Sequence, residues 1–164
     1  MKTIILLLCC VLLCGCAAQT YETLGEITHV SSTLPPMGQT VVQFPDDAVL
    51  LTSSDGNSIY TCNDYTITMQ VFPAGNLQQT ISSLCGFEPS QLTLMESQCK
   101  DHARYEWVWT AAGENGDAMC RAAVLDDGKY HYSLCVVADA KDAGNLTQVW
   151  NELFASFCLE SDES

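Results

Sequence analysis

RYEWVWTAAGENGDAMCRAAVLDDGKYHYSLCVVA, residues 104–138, reads as three β-strands joined by two tight turns. Asn115-Gly116 and Asp127-Gly128 are strong hairpin signals, because both dipeptides tolerate the positive φ that short connections need. The strands are expected over 104–112, 117–125 and 129–138. A two-residue loop at Asn115-Gly116 sets Trp109 opposite Ala122, Trp107 opposite Val124 and Ala111 opposite Cys120. The second turn has two readings. A two-residue Asp127-Gly128 loop brings Cys120 opposite Cys135, but sets His131 and Ser133 against Val124 and Ala122. A three-residue loop with Gly128 in a bulge position sets Tyr130, Tyr132 and Leu134 against Val124, Ala122 and Cys120. The second gives one continuous apolar face that includes both tryptophans. A one-residue slip exchanges faces wholesale, so burial favours this register. It argues against a Cys120–Cys135 bridge.

Strand-like segments also precede this block, at 41–44, 48–53, 58–62, 65–72 and 92–98. In 65–72, Tyr65, Ile67, Met69 and Val71 alternate with Thr66, Thr68 and Gln70, the pattern of a half-buried strand. A helix starts at Asn76, an N-cap residue with Gln79 three positions on, and stops at Gly86. Its apolar stripe is Leu77, Ile81, Leu84 and Cys85. The last element is a helix from 145 to about 157. Its broad apolar face is Leu146, Val149, Trp150, Leu153, Phe154 and Phe157. The fold class is α+β: an antiparallel sheet of about six strands flanked by two amphipathic helices.

Residues 1–15 form a signal peptide: Lys2 supplies a positive charge, and residues 4–13 are an almost unbroken apolar run. The run is too short for a span, which needs about 20 residues. Leu13-Cys14-Gly15-Cys16 resembles the bacterial lipobox, which implies cleavage after Gly15 and lipidation of Cys16. Ordinary cleavage after Ala18 is the alternative and would release a soluble, secreted protein. Residues 16–40 are expected to be a lipidated N-terminus and flexible tether rich in Ser, Thr, Gly and Pro. The domain follows over 41–160, and 161–164 is an acidic tail. The expected location is the outer face of the cell membrane, with the lipid anchor as the membrane contact.

The chain has 20 acidic and 6 basic residues, a formal charge of −14. Lys2 lies in the leader, so the charge from Cys16 onward is −15. Such a surface repels phosphate backbones, which disfavours nucleic-acid binding. Six cysteines remain after the leader and Cys16: Cys62, Cys85, Cys99, Cys120, Cys135 and Cys158. In an exported domain an even count suggests disulfides, whose pairing sequence cannot fix. Buried free thiols are the other reading. No C-x-x-C pair suggests zinc, and no glycine-rich phosphate loop appears, so neither metal nor cofactor is expected.

Candidate catalytic groups are few. His29 lies in the tether, His102 in a turn beside Asp101, and His131 in mid-strand. A thiol-dependent enzyme would pair His131 with Cys135 or Cys99. Trp107, Trp109, Tyr105, Tyr130 and Tyr132 form an aromatic band in the chosen register, best read as core beneath the Trp150 helix.

The order of elements, the ending Trp150-Asn151-Glu152-Leu153-Phe154-Ala155-Ser156-Phe157-Cys158-Leu159 and the strand start Tyr65-Thr66-Ile67-Thr68 resemble the PsbP-like fold. That group includes an extrinsic photosystem II subunit, a Ran-binding nuclear-import factor and DcrB-like envelope lipoproteins. Asp127 to Tyr132, with the tryptophan-rich strand, is also similar to small lipoproteins of gut Firmicutes. The resemblance covers about 41–160 and implies an α/β/α sandwich. It implies no activity, because function lies in sites rather than folds. The expected function is a non-catalytic binding or structural module with an unidentified protein or small-molecule partner.

Overall fold

The computed structural model describes residues 37–54, 56–99, 102–113 and 116–160. The signal peptide, Cys16, His29, Asp101, Asn115, the 161–164 tail and the tether up to residue 36 lie outside the described residues. The strands are β1 (Thr40–Val41), β2 (Val49–Ser54), β3 (Asn57–Thr61), β4 (Tyr65–Pro73), β5 (Met95–Cys99), β6 (His102–Gly113), β7 (Gly116–Asp126), β8 (Tyr130–Asp139) and β9 (Cys158–Leu159). Helix α1 (Leu77–Cys85) and a 3-10 turn (Pro89–Gln91) link β4 to β5, and α2 (Thr147–Ser156) lies between β8 and β9.

Seven strands form one antiparallel sheet in the order β2-β3-β4-β8-β7-β6-β5. Two meanders, β2–β4 and β5–β8, meet where β4 pairs along its whole length with β8. The chain reaches the far edge between them through α1. A separate two-stranded ladder pairs β1 with β9.

Both faces of the sheet are covered, and strand alternation assigns every side chain to one of them. Ile67, Leu134, Val136, Ala123 and Leu125 pack with Trp150, Leu153, Phe154 and Phe157 of the α2 segment. Trp107, Ala122, Val124 and Cys135 pack on the other face with Ile81 of α1. The β4 alternation is as expected, with Tyr65 and Ile67 on the α2 side. Asn76 caps α1 by accepting a hydrogen bond from Gln78 N at 2.9 Å, and Gly86 ends it at φ 77°.

The β7–β8 register corrects the sequence expectation. Asp126 pairs with His131, Leu125 with Tyr132, Val124 with Ser133 and Ala122 with Cys135. Asp127 N donates to Tyr130 O at 3.3 Å, so Gly128 and Lys129 alone make the connection. This even count sends Tyr130, Tyr132 and Leu134 to the α2 face, away from both tryptophans. The single aromatic band therefore does not exist. The expectation assumed one apolar face and charged His131 and Ser133 with spoiling it. With two covered faces, each finds a buried partner instead. Cys120 and Cys135 share the α1 face but are not opposite: Cys120 pairs with Val137.

The β6–β7 hairpin slides by two residues and keeps its faces. Trp107 opposes Ala122, Trp109 opposes Cys120, and Gly113 pairs with Gly116. Gly116 is a strand residue at φ 126°, not a loop residue. A Cβ at Gly113 would come within 3.0 Å of Gly116 O, so the closing pair requires glycine there. Three boundaries also move. The strand expected at 41–44 shrinks to β1 because its partner β9 has only two residues. The strand expected at 92–98 becomes β5, after the 3-10 turn. Turns occupy 140–146, so α2 starts at Thr147, with Leu146 as an N-cap that makes no side-chain bond.

Trp150 is 5% exposed and meets the Tyr65 ring edge-on at 6.2 Å. Trp150→Ala should cost roughly 3–5 kcal/mol, a large share of a small domain's stability. Chemical denaturation checks this. An unchanged midpoint would mean that α2 does not dock as described.

Candidate functional site

The interior of the domain holds two polar clusters. His131, 1% exposed, shares a 2.8 Å hydrogen bond between its Nδ1 and Thr80 Oγ1. Its Nε2 lies 3.6 Å from Asp126 Oδ2. Hydroxyl, imidazole and carboxylate thus stand in a line, as in a nucleophilic triad. However, Thr80 is 8% exposed and lies between α1 and the sheet. No substrate carbonyl reaches its oxygen unless α1 lifts, so the line ties α1 to β8.

The second polar cluster holds α2. Arg104 donates to Phe154 O and Phe157 O, both at 2.7 Å, and to Glu106 Oε1 at 2.7 Å. Arg121 donates to Glu106 Oε2 at 2.9 Å and to Asn151 Oδ1 at 2.8 Å. Its guanidinium also lies 4.3 Å from the Phe154 ring centre. Burial alone would raise Glu106, but hydrogen bonds from Arg121 and Arg104, with their charges, hold its carboxyl below the usual range. Asp127 behaves likewise. Burial is outweighed by the Tyr130 and Lys129 amides, the Tyr132 hydroxyl and the Lys129 charge.

Among the described residues the six cysteines are unpaired thiols. Cys85, Cys120 and Cys135 gather on the α1 face. Burial, then the neighbouring Cys85, pushes Cys120 up to about 11. Burial, then Cys120 and Cys85, pushes Cys135 up to about 12. Cys62 is raised by burial and faces the Tyr65 hydroxyl. Cys135 lies four residues from His131 along one strand, about 13 Å away. Two strands separate Cys99 from His131. Neither pairing considered for a thiol enzyme is formed. Cys99 instead faces His102 across β5 and β6, with no hydrogen bond between them. Among the described residues no group of His, Cys, Asp and Glu is arranged to hold a metal ion. No described helix is long and apolar enough to cross a membrane.

A cavity of about 270 Å³ lies where the segment entering β1 crosses the sheet. Gly38 N donates to Tyr132 Oη at 2.8 Å, and Tyr132 Oη donates to Asp127 Oδ2 at 2.9 Å. These bonds fix one wall. Ser53 and Ser58, paired across β2 and β3, line another with Asn57. Met69, Gln70 and Val71 of β4 form the floor. The walls come from separate elements, and no motif or periodicity in the sequence marked them. Sequence reasoning also missed the Arg104–Glu106–Arg121 cluster, although charged residues in an otherwise apolar-facing strand were the available signal.

No family model matches the chain, and no curated protein matches it by sequence. Solved structures do match it. Cyanobacterial PsbP (CyanoP) from Synechocystis aligns over 74% of this chain and 86% of its own, with TM-score 0.55 and 10% identity. LpqN of Mycobacterium tuberculosis, described as involved in cell envelope biogenesis, aligns over 76% and 86%, with TM-score 0.51 and 14% identity. A Bacteroides thetaiotaomicron protein aligns over 76% and 46%, with TM-score 0.53 and 9% identity.

Two outcomes are expected. Glu106 and Asp127 are depressed in the folded state, so their contribution is present above unfolded values of about 4 and is lost as pH falls below them. Stability measured by urea denaturation should fall steeply below about pH 4, and Glu106→Gln with Asp127→Asn should flatten that fall. Alkylation at pH 8 should leave Cys120 and Cys135 unmodified in the folded protein and modify both after denaturation. Fast native reaction at either would contradict their burial.

This architecture, a large antiparallel sheet with a helix on each face, is the PsbP-like fold.

Proposed function

We propose that this chain is a membrane-anchored extracytoplasmic lipoprotein whose domain is a non-catalytic binding or structural module. One observation carries the non-catalytic half. The buried ionisable side chains Arg104 and His131 are each bonded into the contact between a helix and the sheet, and half-buried Glu106 is bonded to Arg104 and Arg121. A catalytic acid or base needs freedom to exchange protons with substrate, and these groups hold architecture. The anchored half rests on the short apolar leader followed by Leu13-Cys14-Gly15-Cys16. The envelope role described for LpqN agrees with that location.

The thiol-enzyme reading narrows to Cys99, the cysteine that faces His102. Fast native alkylation at Cys99 would favour it.

Anchoring is tested in a bacterial host. The wild-type chain should take up radiolabelled palmitate and sediment with membranes, and Cys16→Ser should do neither. Retention and labelling of Cys16→Ser would overturn the lipid anchor. Release of an unlabelled wild-type chain cut after Ala18 would establish the secreted alternative.

A further inference from the structure

The cavity beside β1 is chemically unlike the rest of the molecule. In a chain of formal charge −14, its described lining has no Asp, Glu, Lys, Arg or His. Its polar side chains are those of Gln39, Thr40, Ser53 and Ser58, while Asn57 and Gln70 line it with backbone, because strand alternation turns their side chains to the other face. The side chains of these four make no hydrogen bond to a described residue, whereas Tyr132 and Ser133 beside them are already bonded. Ser53 and Ser58 sit directly opposite each other. Their Cβ atoms are therefore about 5 Å apart, close enough for both hydroxyls to reach one small molecule. Met37, Met69 and Val71 add an apolar side.

We infer that this cavity binds a small, uncharged, hydroxyl-rich molecule of single-ring size, the chemistry of a neutral sugar. The inference rests on the reading of the domain as a non-catalytic binding module and supplies its ligand class. Three constraints lead to it. At about 270 Å³ the space falls just under the range for drug-sized ligands, roughly 300–1,000 Å³. An anion would find no cationic partner in the described lining and would meet the repulsive field of the whole chain. A cation would lose its hydration without gaining a carboxylate from the described lining. A neutral polyol exchanges water hydrogen bonds for those of free hydroxyls and the Gln39 amide, and lays its C–H face on the thioethers and Val71. The walls are preorganised, since Tyr132 and Asp127 fix Gly38 and antiparallel pairing fixes Ser53, Ser58 and Met69.

Saturation-transfer NMR on the full chain, in a detergent without a sugar headgroup, tests this with N-acetylglucosamine as the probe. Glucosamine supplies the cationic comparison and glucuronate the anionic one. N-Acetylglucosamine should receive saturation and be displaced by excess glucose, and the charged sugars should bind at least tenfold more weakly. Ser58→Phe, which fills the space, should abolish transfer. Ser53→Ala with Ser58→Ala, which removes only hydroxyls, should weaken it at least tenfold while the melting temperature holds. Absence of transfer to the wild type, transfer that survives Ser58→Phe, or equal binding of glucuronate would each overturn the inference. None of these results bears on palmitate labelling or on thiol reactivity, so the anchored, non-catalytic reading stands or falls separately.

Discussion

Asp127 sets the register on which the two faces of this protein depend. Its Oδ1 accepts from the Lys129 and Tyr130 amides, each at 2.7 Å, and its Oδ2 from the Tyr132 hydroxyl at 2.9 Å. Three charge-assisted bonds to one carboxylate hold the connection to two residues. An odd connection would turn every side chain of β8 over. It would leave His131 and Ser133 under α2 without Thr80 Oγ1 and Gln70 O, the groups that now satisfy them. The same carboxylate fixes the entry of the chain, because the hydroxyl that donates to it also accepts from Gly38 N. One aspartate thus couples hairpin register, helix placement and the wall of the cavity.

The Arg104–Glu106–Arg121 cluster solves a different problem. α2 ends against the sheet, and its last carbonyls need donors there. Arg104 supplies two, to Phe154 O and Phe157 O, and its positive charge suits the negative end of the helix. Burying a lone guanidinium would be costly, and Glu106 offsets that cost while also fixing Arg121. Buried ion pairs contribute little net stability against apolar replacements, so the cluster is better understood as setting the position of α2. That position matters downstream, since β9 follows α2 directly and pairs with β1, and Glu160 N donates to Gln39 O. The entry and exit of the domain are therefore tied together beside the cavity.

Local chemistry made the elements legible in the sequence. Asn76 and Gly86 bound α1, and alternation from Tyr65 to Val71 oriented β4. What the sequence hid was parity. The choice at Asp127-Gly128 turned on whether one face or both would be buried, which is a property of the whole fold. His131 looked like a polar intruder because Thr80, its partner, lies 51 positions away. The glycine of Asn115-Gly116 looked like a loop residue, although it lies inside the ladder at φ 126°, and the close approach is made by Gly113 opposite it. The cavity was not legible, because its walls are loops and strand ends that only tertiary structure assembles. The six cysteines were legible as a count and not as neighbours. Three of them share a face because α1 lies along β8.

The acidic composition takes on a structural meaning at the β2 edge. Val49, Leu50 and Leu51 are 59%, 50% and 61% exposed on the last strand of the sheet. No charged residue lies within β2, β3 or β4. An uncharged, aliphatic edge is a template for pairing with other chains. Two features oppose that here. The β2–β3 register shifts between Leu50 and Thr52, and such a bulge twists the edge away from a flat partner. Asp46 and Asp47 lie in the turn before the strand, and the net charge keeps copies apart at long range. Charge is thus kept off these three strands and left to other positions, Asp55 and Asp64 in the sequence between them included. A neutral binding cavity can exist only where the sheet is neutral, and that is the half from which Ser53, Ser58 and Met69 line it.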